Sequence, residues 1–563
     1  MRVPISPFFR RFLAAVALAP LLAAATAQSA AETDFSPDRF RAHVAFLADD
    51  RLEGRDTGSR GYEMAAAYVA EQFQALGLKP VGENGGWYQQ VPLRTARLAQ
   101  PPALTLIGTN GRRISWSGGT DVILGPSTRE RRQDMTARVV FAGYGLDAPS
   151  LGLRDYEGLN VKGRIVAVLA GTPASLDSET AAHLSRSKSA MAARRGAVGV
   201  VTLPTEQWEK ASPWDVRVRR SGGTQMVWIG RSGDEEVRAT ATVNASVAER
   251  LFGGAPRSYT AVRADAAKGV SPSGFALPSR IRIQRRSLWS DISSPEVIGM
   301  LPGADPKLSH EYVVLMGHLD HLGVSSSAQP GADRIFNGAL DNAAGIATLL
   351  EAARAFTSSG APPRRSILFI ANTAEEKGLL GAEYFAHYPT VPIASIVAGV
   401  DLDMPVLLYD FADVIAFGAE HSTVAQAVEK AARSMDIAVS PDPMPEQNIF
   451  VRSDHYKFVQ RGVPAILLMT GFANGGEAQW KHYLDEVYHR VGDDLGQPIR
   501  WAQGARFSRL NYLIARELAD ADERPRWYEG NLFGDLYAPG APRAPCTRAG
   551  GCGPRLDLKP LRP

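Results

Sequence analysis

The chain has 563 residues, 45% of them hydrophobic and 21% charged, with 62 Lys and Arg against 59 Asp and Glu. That is room for roughly three to four domains of average size, and the ordinary composition supplies a large core and confines disorder to the ends. A formal charge of only +3 gives no basic surface for nucleic acid or an anionic membrane.

Arg2, Arg10 and Arg11 precede an apolar stretch at 12–25, and Ala25-Thr-Ala27 offers a small-residue cleavage site before Gln28. This is the layout of a secretory signal, and it predicts export to the periplasm or the medium. Pro20 interrupts the stretch, which is shorter than the ~20 residues a membrane span needs, and no later run is long and apolar enough to be one. Without the signal the formal charge falls to 0.

Residues 38–80 read as helical. Ala66, Val69, Phe73 and Leu76 fall on one face, Gly77 suits the C-terminal cap, and Pro80 stops continuation. Between 91 and 285 short β-rich runs at 103–107, 138–141, 164–169 and 199–202 alternate with Gly, Ser and Pro, with one helix around 190–195. This texture is that of a separate β-rich module. From about 297 strands and helices alternate. Strands are predicted at 312–316, 366–371, 395–400 and 463–469, and a helix at 342–356. The pattern implies an α/β fold, a largely parallel mixed sheet flanked by helices. Beyond 521 the chain is rich in Pro, Gly and Arg and reads as an extension draped on the surface or partly disordered. Its Cys546 and Cys552 are the only cysteines, so thiolates cannot hold a metal in the body, and an exported chain favours a small disulfide loop between them.

The chemical candidates follow strand ends. His318 and Asp320 come after the first of these strands, Glu375 and Glu376 after the second, and Asp403 after the third; open α/β sheets bind ligands there. Singly each has a plain structural reading. Adjacent glutamates usually face solvent, Asp341 could cap a helix, Asp403 could be a salt-bridge partner, and His489 could lie on the surface. Jointly they supply what two zinc ions need: imidazole and carboxylate ligands with one carboxylate shared. Asp341 suits the shared role, because the small residues of Asn342-Ala-Ala-Gly345 let the backbone come close. One ion would take His318 and Asp403, the other Glu376 and His489. Asp320 is expected to accept the second ring N–H of His318. Glu375 is left as general base for the water between the ions. His321 is read as an outer contact or simply packed, and Arg452, His455 and Tyr456 as a possible substrate cleft. No Gly-x-Ser-x-Gly elbow, Walker loop or His-Glu-x-x-His occurs.

On these residues the sequence resembles the M28 family of zinc peptidases, and specifically exported members with a protease-associated (PA) insert. The matching stretches are Gly317-His-Leu-Asp-His-Leu-Gly323, Asn337-Gly-Ala-Leu-Asp-Asn-Ala-Ala-Gly345, Thr373-Ala-Glu-Glu-Lys-Gly378, Asp401-Leu-Asp-Met404, Ser453-Asp-His-Tyr456 and Tyr488-His489. Val140-Phe-Ala-Gly-Tyr-Gly145 and Asp155-Tyr-Glu-Gly-Leu-Asn-Val-Lys-Gly163 resemble the PA domain, and Leu52-Glu-Gly-Arg-Asp-Thr-Gly58 the family's N-terminal signature. The resemblance implies a dinuclear zinc aminopeptidase acting on peptides, with Asp341 bridging and Asp403, not Asp401, as ligand. It divides the chain into a signal peptide (1–27), an N-terminal part of the peptidase (36–93), an insert (94–285) holding the PA domain at about 136–265, the catalytic domain (286–521) and a C-terminal extension (522–563). A carboxypeptidase on the same scaffold, with Arg452 gripping the substrate carboxylate, and a non-catalytic receptor-like homologue are the alternatives.

Overall fold

A computed structural model describes residues 34–546 apart from 222, 232–235 and 327–330. The signal peptide and Cys552 lie outside the described residues. Ser36 caps α1 (Pro37–Leu47) by accepting the Arg39 amide, and Ser59 caps α2 (Arg60–Ala75) by accepting that of Tyr62. The single helical stretch expected over 38–80 is therefore two helices. Between them Asp50–Arg55 forms a tight turn in which Glu53, Gly54 and Arg55 all have positive φ. α2 buries Ala66, Val69 and Phe73 along one face, as their spacing predicts, with Tyr62 buried too, whereas Leu76 lies just past its end and is half-buried.

β1 (Tyr88–Leu98) leads into the inserted module. Its elements are β2 (Ala103–Ile107), β3 (Arg132–Phe141), β4 (Ile165–Leu169), α3 (Ser178–Arg194), β5 (Gly199–Leu203), β6 (Gln225–Trp228) and β7 (Ala239–Val243). The chain returns along β8, a 27-residue strand from Phe275 to Leu301. The first half of β8 pairs with β2 and β3, and β3, β4, β5 and β7 continue the sheet in parallel. Val139, Val166, Leu184, Val201 and Ile283 belong to a core that is separate from that of the peptidase body. The single helix expected here is joined by four short ones, Glu206–Ala211, Trp214–Arg220, Ala245–Leu251 and Tyr259–Ala267. Each is too short to show a helical period, although Thr205, Asn244 and Ser258 cap three of them.

The second half of β8 enters the main sheet, antiparallel to β1 from Val297↔Tyr88 to Ser287↔Leu98. The remaining elements are β9 (Tyr312–His318), α4 (Ala344–Ser358), β10 (Ser366–Asn372), α5 (Leu380–His387), β11 (Ile396–Asp401), β12 (Asp413–Phe417), α6 (Val424–Ser434), α7 (His455–Val459), β13 (Ala465–Thr470), α8 (Trp501–Asp520) and α9 (Leu532–Tyr537). The strand order is β6-β1-β8-β10-β9-β11-β13-β12. The four strands β10, β9, β11 and β13 are parallel, while β8 and β12 run antiparallel beside them. β10, β11 and β13 are buried at every position, as strands covered on both faces must be. α1, α4 and α8 pack on one another. Among the described residues no helix is long and apolar enough to cross a membrane.

The C-terminal segment is not merely draped on the surface. Trp527, Tyr528 and Phe533 are buried, and the Phe533 ring lies 4.8 Å from that of His421, 5.0 Å from Phe450 and 5.6 Å from His183 of α3. The aromatic residues scattered among its prolines and glycines supply apolar surface that composition alone conceals. Cys546 is disulfide-bonded.

Candidate metal centre

Four loops meet beyond the carboxyl ends of the parallel strands. β9 ends on His318. A distorted turn at Ala339–Ala343 presents Asp341 immediately before α4. Glu375 and Glu376 follow β10, and Asp403 follows β11. His489 comes from the opposite side, at a φ of 57° that histidine tolerates better than bulkier residues. The close approach anticipated for Gly345 is real, since a Cβ there would lie 2.1 Å from the Leu402 carbonyl oxygen.

His318 Nε2 lies 3.0 Å from Asp403 Oδ1 and 3.1 Å from Asp341 Oδ1. His489 Nε2 lies 3.2 Å from Asp341 Oδ2 and 3.1 Å from Glu376 Oε2. Asp341 thus turns one oxygen to each imidazole. Two atoms bound about 2.0–2.1 Å from one tetrahedral zinc stand roughly 3.3 Å apart, so each N···O pair has the separation of ligands sharing an ion. Asp341 Oδ2 is buried and makes no well-directed hydrogen bond despite its neighbour. The donor set therefore fits two ions held by nitrogen and oxygen, each with a position to spare.

Electrostatics point the same way. Against burial, which lowers it, the Asp341 and Glu376 carboxylates raise His489 to about 10. Against burial, which raises it, hydrogen bonds from His321 and His489, opposed by the Asp341 charge, bring Glu376 down to about 2. His318 is likewise held well above the usual imidazole range, Asp403 and Asp341 outweighing burial. Protonated imidazoles here supply the positive charge that cations would supply. Burial, and then the neighbouring Glu376 and Asp403 charges, raise the Glu375 carboxyl well above its usual range while His318 opposes them.

Two expectations need correction. The Asp320 carboxylate does not receive the His318 ring. His318 Nδ1 faces the Asp320 main-chain carbonyl at 3.0 Å. The Asp320 side chain instead accepts the Glu375 amide at 3.0 Å and the Thr57 hydroxyl at 2.9 Å, because the chain turns sharply after the last residue of β9. His455 and Tyr456 do not line the cavity beside the ligands, whereas Arg452 and Ser453 do, with Glu375 and Tyr488. His455 is fully buried, its amide and Nδ1 3.0 and 3.3 Å from Asp401 Oδ2. Tyr456 lies 2.5 Å from His183 of the insert. His321 is more than packing: its Nδ1 is 2.7 Å from Glu376 Oε1, opposite the oxygen that meets His489.

Three positioning residues carry no signal in spacing or charge. The Asn342 amide donates to Leu402 O at 2.9 Å, and its Oδ1 accepts the Gly345 and Met404 amides, tying the Asp341 turn to the Asp403 loop. Asp493 accepts the Leu340 and Asp341 amides at 2.9 and 3.0 Å. Arg55, fully buried, donates to the carbonyls of Leu47, Leu319, Asn337 and Gly338, joining the N-terminal turn to the loops that carry His318 and Asp341. Arg55 and Asn342 lie in the Leu52–Gly58 and Asn337–Gly345 stretches whose resemblance is noted above, which is the clue that sequence offers for them.

Residues 296–514 match peptidase family M28. That segment, which carries all five candidate ligands, is a match to the M28 peptidase domain. A probable leucine aminopeptidase 2 from Aspergillus oryzae is 28% identical over 230 residues, which are 37% of this chain and 42% of that protein. The chain thus spans less than half the length of this relative. An aminopeptidase from Aneurinibacillus sp. strain AM-1 superposes with a TM-score of 0.48 at 18% identity, over 87% of this chain and 95% of that one. For a zinc aminopeptidase from Bacillus subtilis the values are 0.42 and 17%, over 87% and 97%.

Proposed function

We propose that this M28 protein is an exported aminopeptidase that removes the N-terminal residue of peptides with two zinc ions. The observation that carries the reading is Asp341, whose two oxygens face His318 and His489 at 3.1 and 3.2 Å. One ion would be held by His318, Asp341 and Asp403, the other by Asp341, Glu376 and His489, with His321 orienting Glu376. Bound there, zinc would activate a water and polarise the scissile carbonyl. Glu375 takes the proton from that water and returns it to the leaving amine. Asp320 holds the Glu375 backbone in place, and Tyr488, stacked on His489 at 3.8 Å, keeps that ring turned inward. The insert, resembling a PA domain, shapes access to the cleft.

Elemental analysis with a panel of aminoacyl-amides tests this. Two zinc ions per chain and amide hydrolysis are expected. Glu375→Gln should retain zinc and lose about 10²–10⁴-fold in kcat. One ion per chain, or unchanged turnover by Glu375→Gln, refutes the proposed chemistry. Arg452 in the cavity favours the carboxypeptidase as second reading. Loss of turnover only on C-terminal blocking of a dipeptide would establish it.

A further inference from the structure

We propose that Glu179 of the insert, with Glu420 and His421 of the peptidase body, holds a further divalent cation of the zinc class, which fastens the two parts of the chain together. The site shares no ligand with the candidate metal centre and needs no peptidase activity.

The three side chains come from distant stretches of sequence. Glu179 stands in the first turn of α3. Glu420 and His421 lie in the tight turn Ala419–His421, which follows β12 after Gly418, at a φ of 91°, has bent the chain. One ligand atom from each lies within 4.8 Å of the others, and His421 Nε2 is 2.7 Å from Glu179 Oε2. Imidazole nitrogen and carboxylate oxygen are the donors that zinc and its first-row neighbours take.

His421 is 8% exposed. Its Nε2 is buried and makes no well-directed hydrogen bond despite the neighbouring oxygen, just as Asp341 Oδ2 makes none at the other centre. A buried ring nitrogen is costly unless something meets it. The ring has little freedom to turn away. Phe450 and Phe533 each lie 4.8 Å from it, and the His421 carbonyl accepts the Tyr528 amide at 3.0 Å. Asn531 stands 2.9 Å from Nδ1, where a metal-bound imidazole needs an outer partner. With a cation on Nε2 the hydrogen sits on Nδ1. A half-turn of the Asn531 amide then presents its oxygen there, in exchange for its cap on α9.

Charge favours the same occupant. Among the described residues neither glutamate forms an ion pair with lysine or arginine. Two carboxylates held this close repel one another, and one imidazole offsets a single charge at most. Glu420 also lines a cavity of about 780 Å³ between β12 and α6, which gives the ion a route from solvent and supplies water for its remaining positions. Three protein ligands at the edge of a cavity hold zinc less firmly than a buried centre, so this site fills last, from zinc added in excess.

The full chain is dialysed against rising free zinc, and bound zinc is counted by elemental analysis in wild type, E179Q, E420Q and H421Q. Wild type should take up one ion per chain more than each variant, and Tm should rise with that last ion in wild type alone. Loss of a ligand should weaken it by more than the about 10–100-fold that loss of an outer contact costs. The count is a difference between chains, so it holds whatever number of ions the other centre takes. Uptake by E179Q equal to that of wild type overturns the proposal. Wild-type crystals soaked in zinc need no variant to fold. They should show an anomalous peak about 2.0–2.2 Å from His421 Nε2 and from an oxygen of each glutamate. No peak there at millimolar zinc overturns the proposal, and so does a peak on His421 without Glu179, because such an ion would not join the insert to the body.

Discussion

Asp320 illustrates how a side chain of the right type in the right place can act differently from its simplest reading. A carboxylate two residues from a metal-type histidine suggests ring orientation, yet it is the Asp320 carbonyl that meets His318, while the carboxylate fixes the Glu375 amide and Thr57. Its task is thus to place Glu375, the proposed general base. Asp320→Asn turns an NH₂ toward one of two donors. It should lower kcat by about 10–100-fold, the usual effect of losing an outer contact, with zinc content unchanged by elemental analysis. Loss of zinc together with activity would show that Asp320 supports the ligands instead. Asp341, Glu376, Asp403, His318 and His489 were legible because few structures other than a metal site need such groups together at strand ends. Asn342, Asp493 and Arg55 were not, because they bind backbone groups that only the folded chain assembles.

Between elements, the junction of α3, α7 and α9 is where the insert, the peptidase body and the C-terminal segment lock together. His183 is 4% exposed, and burial, with Arg194 nearby, lowers it to about 4. The unfolded chain takes up this proton below about pH 6.5, which the folded chain resists until about 4. The stabilisation is therefore complete above pH 6.5 and is lost as pH falls toward 4, by up to about 3 kcal/mol. Comparing urea midpoints of wild type and His183→Gln across pH 7 to 4 isolates this share from that of His43, which shifts in the same sense. The two curves should converge on acidification, and parallel curves would contradict it. Phe533 fills the same junction, and Phe533→Ala should cost about 3–5 kcal/mol. A lowered Tm and early proteolytic release of the C-terminal segment would register it. Nearby, Glu179 and Glu420 surround His421. Asn531 caps α9 with its Oδ1 and points its Nδ2 at His421 Nδ1, 2.9 Å away. On the other side of the ring, His421 Nε2 lies 2.7 Å from Glu179 Oε2. None of this was readable beforehand. Short capped helices have no period, and the aromatic residues of a Pro- and Gly-rich stretch reveal their burial only against a partner surface.

At the scale of the molecule, the centre of the fold was legible because buried parallel strands leave continuous apolar runs. The predicted strands at 312–316, 366–371, 395–400 and 463–469 fall within a residue or two of β9, β10, β11 and β13. What texture could not convey is that one strand, β8, serves two sheets. The candidate site draws loops from across the peptidase body, and its four clustered acids repel one another without cations. Chelation should therefore lower the Tm of the whole chain as well as stop turnover, and added zinc should restore both. At a free zinc concentration 100 times Kd the gain is about 2.7 kcal/mol. A Tm indifferent to chelator would mean that the protonated imidazoles hold the loops equally well.

The pairing of Leu98 with Ser287 has a consequence for engineering and for descent. The chain between these two residues leaves and returns on one antiparallel ladder, so an Asn-Gly hairpin could replace it and leave the register of β1 and β8 intact. The shortened protein would nevertheless lose β6, which now covers Leu93 through Ala96 along the outer side of β1, as well as the α3 contacts with the peptidase body. A bare row of amides and carbonyls would remain, open to the same strand of a second copy. A minimal peptidase cut from this chain should therefore self-associate unless a proline or a lysine is first placed on that margin.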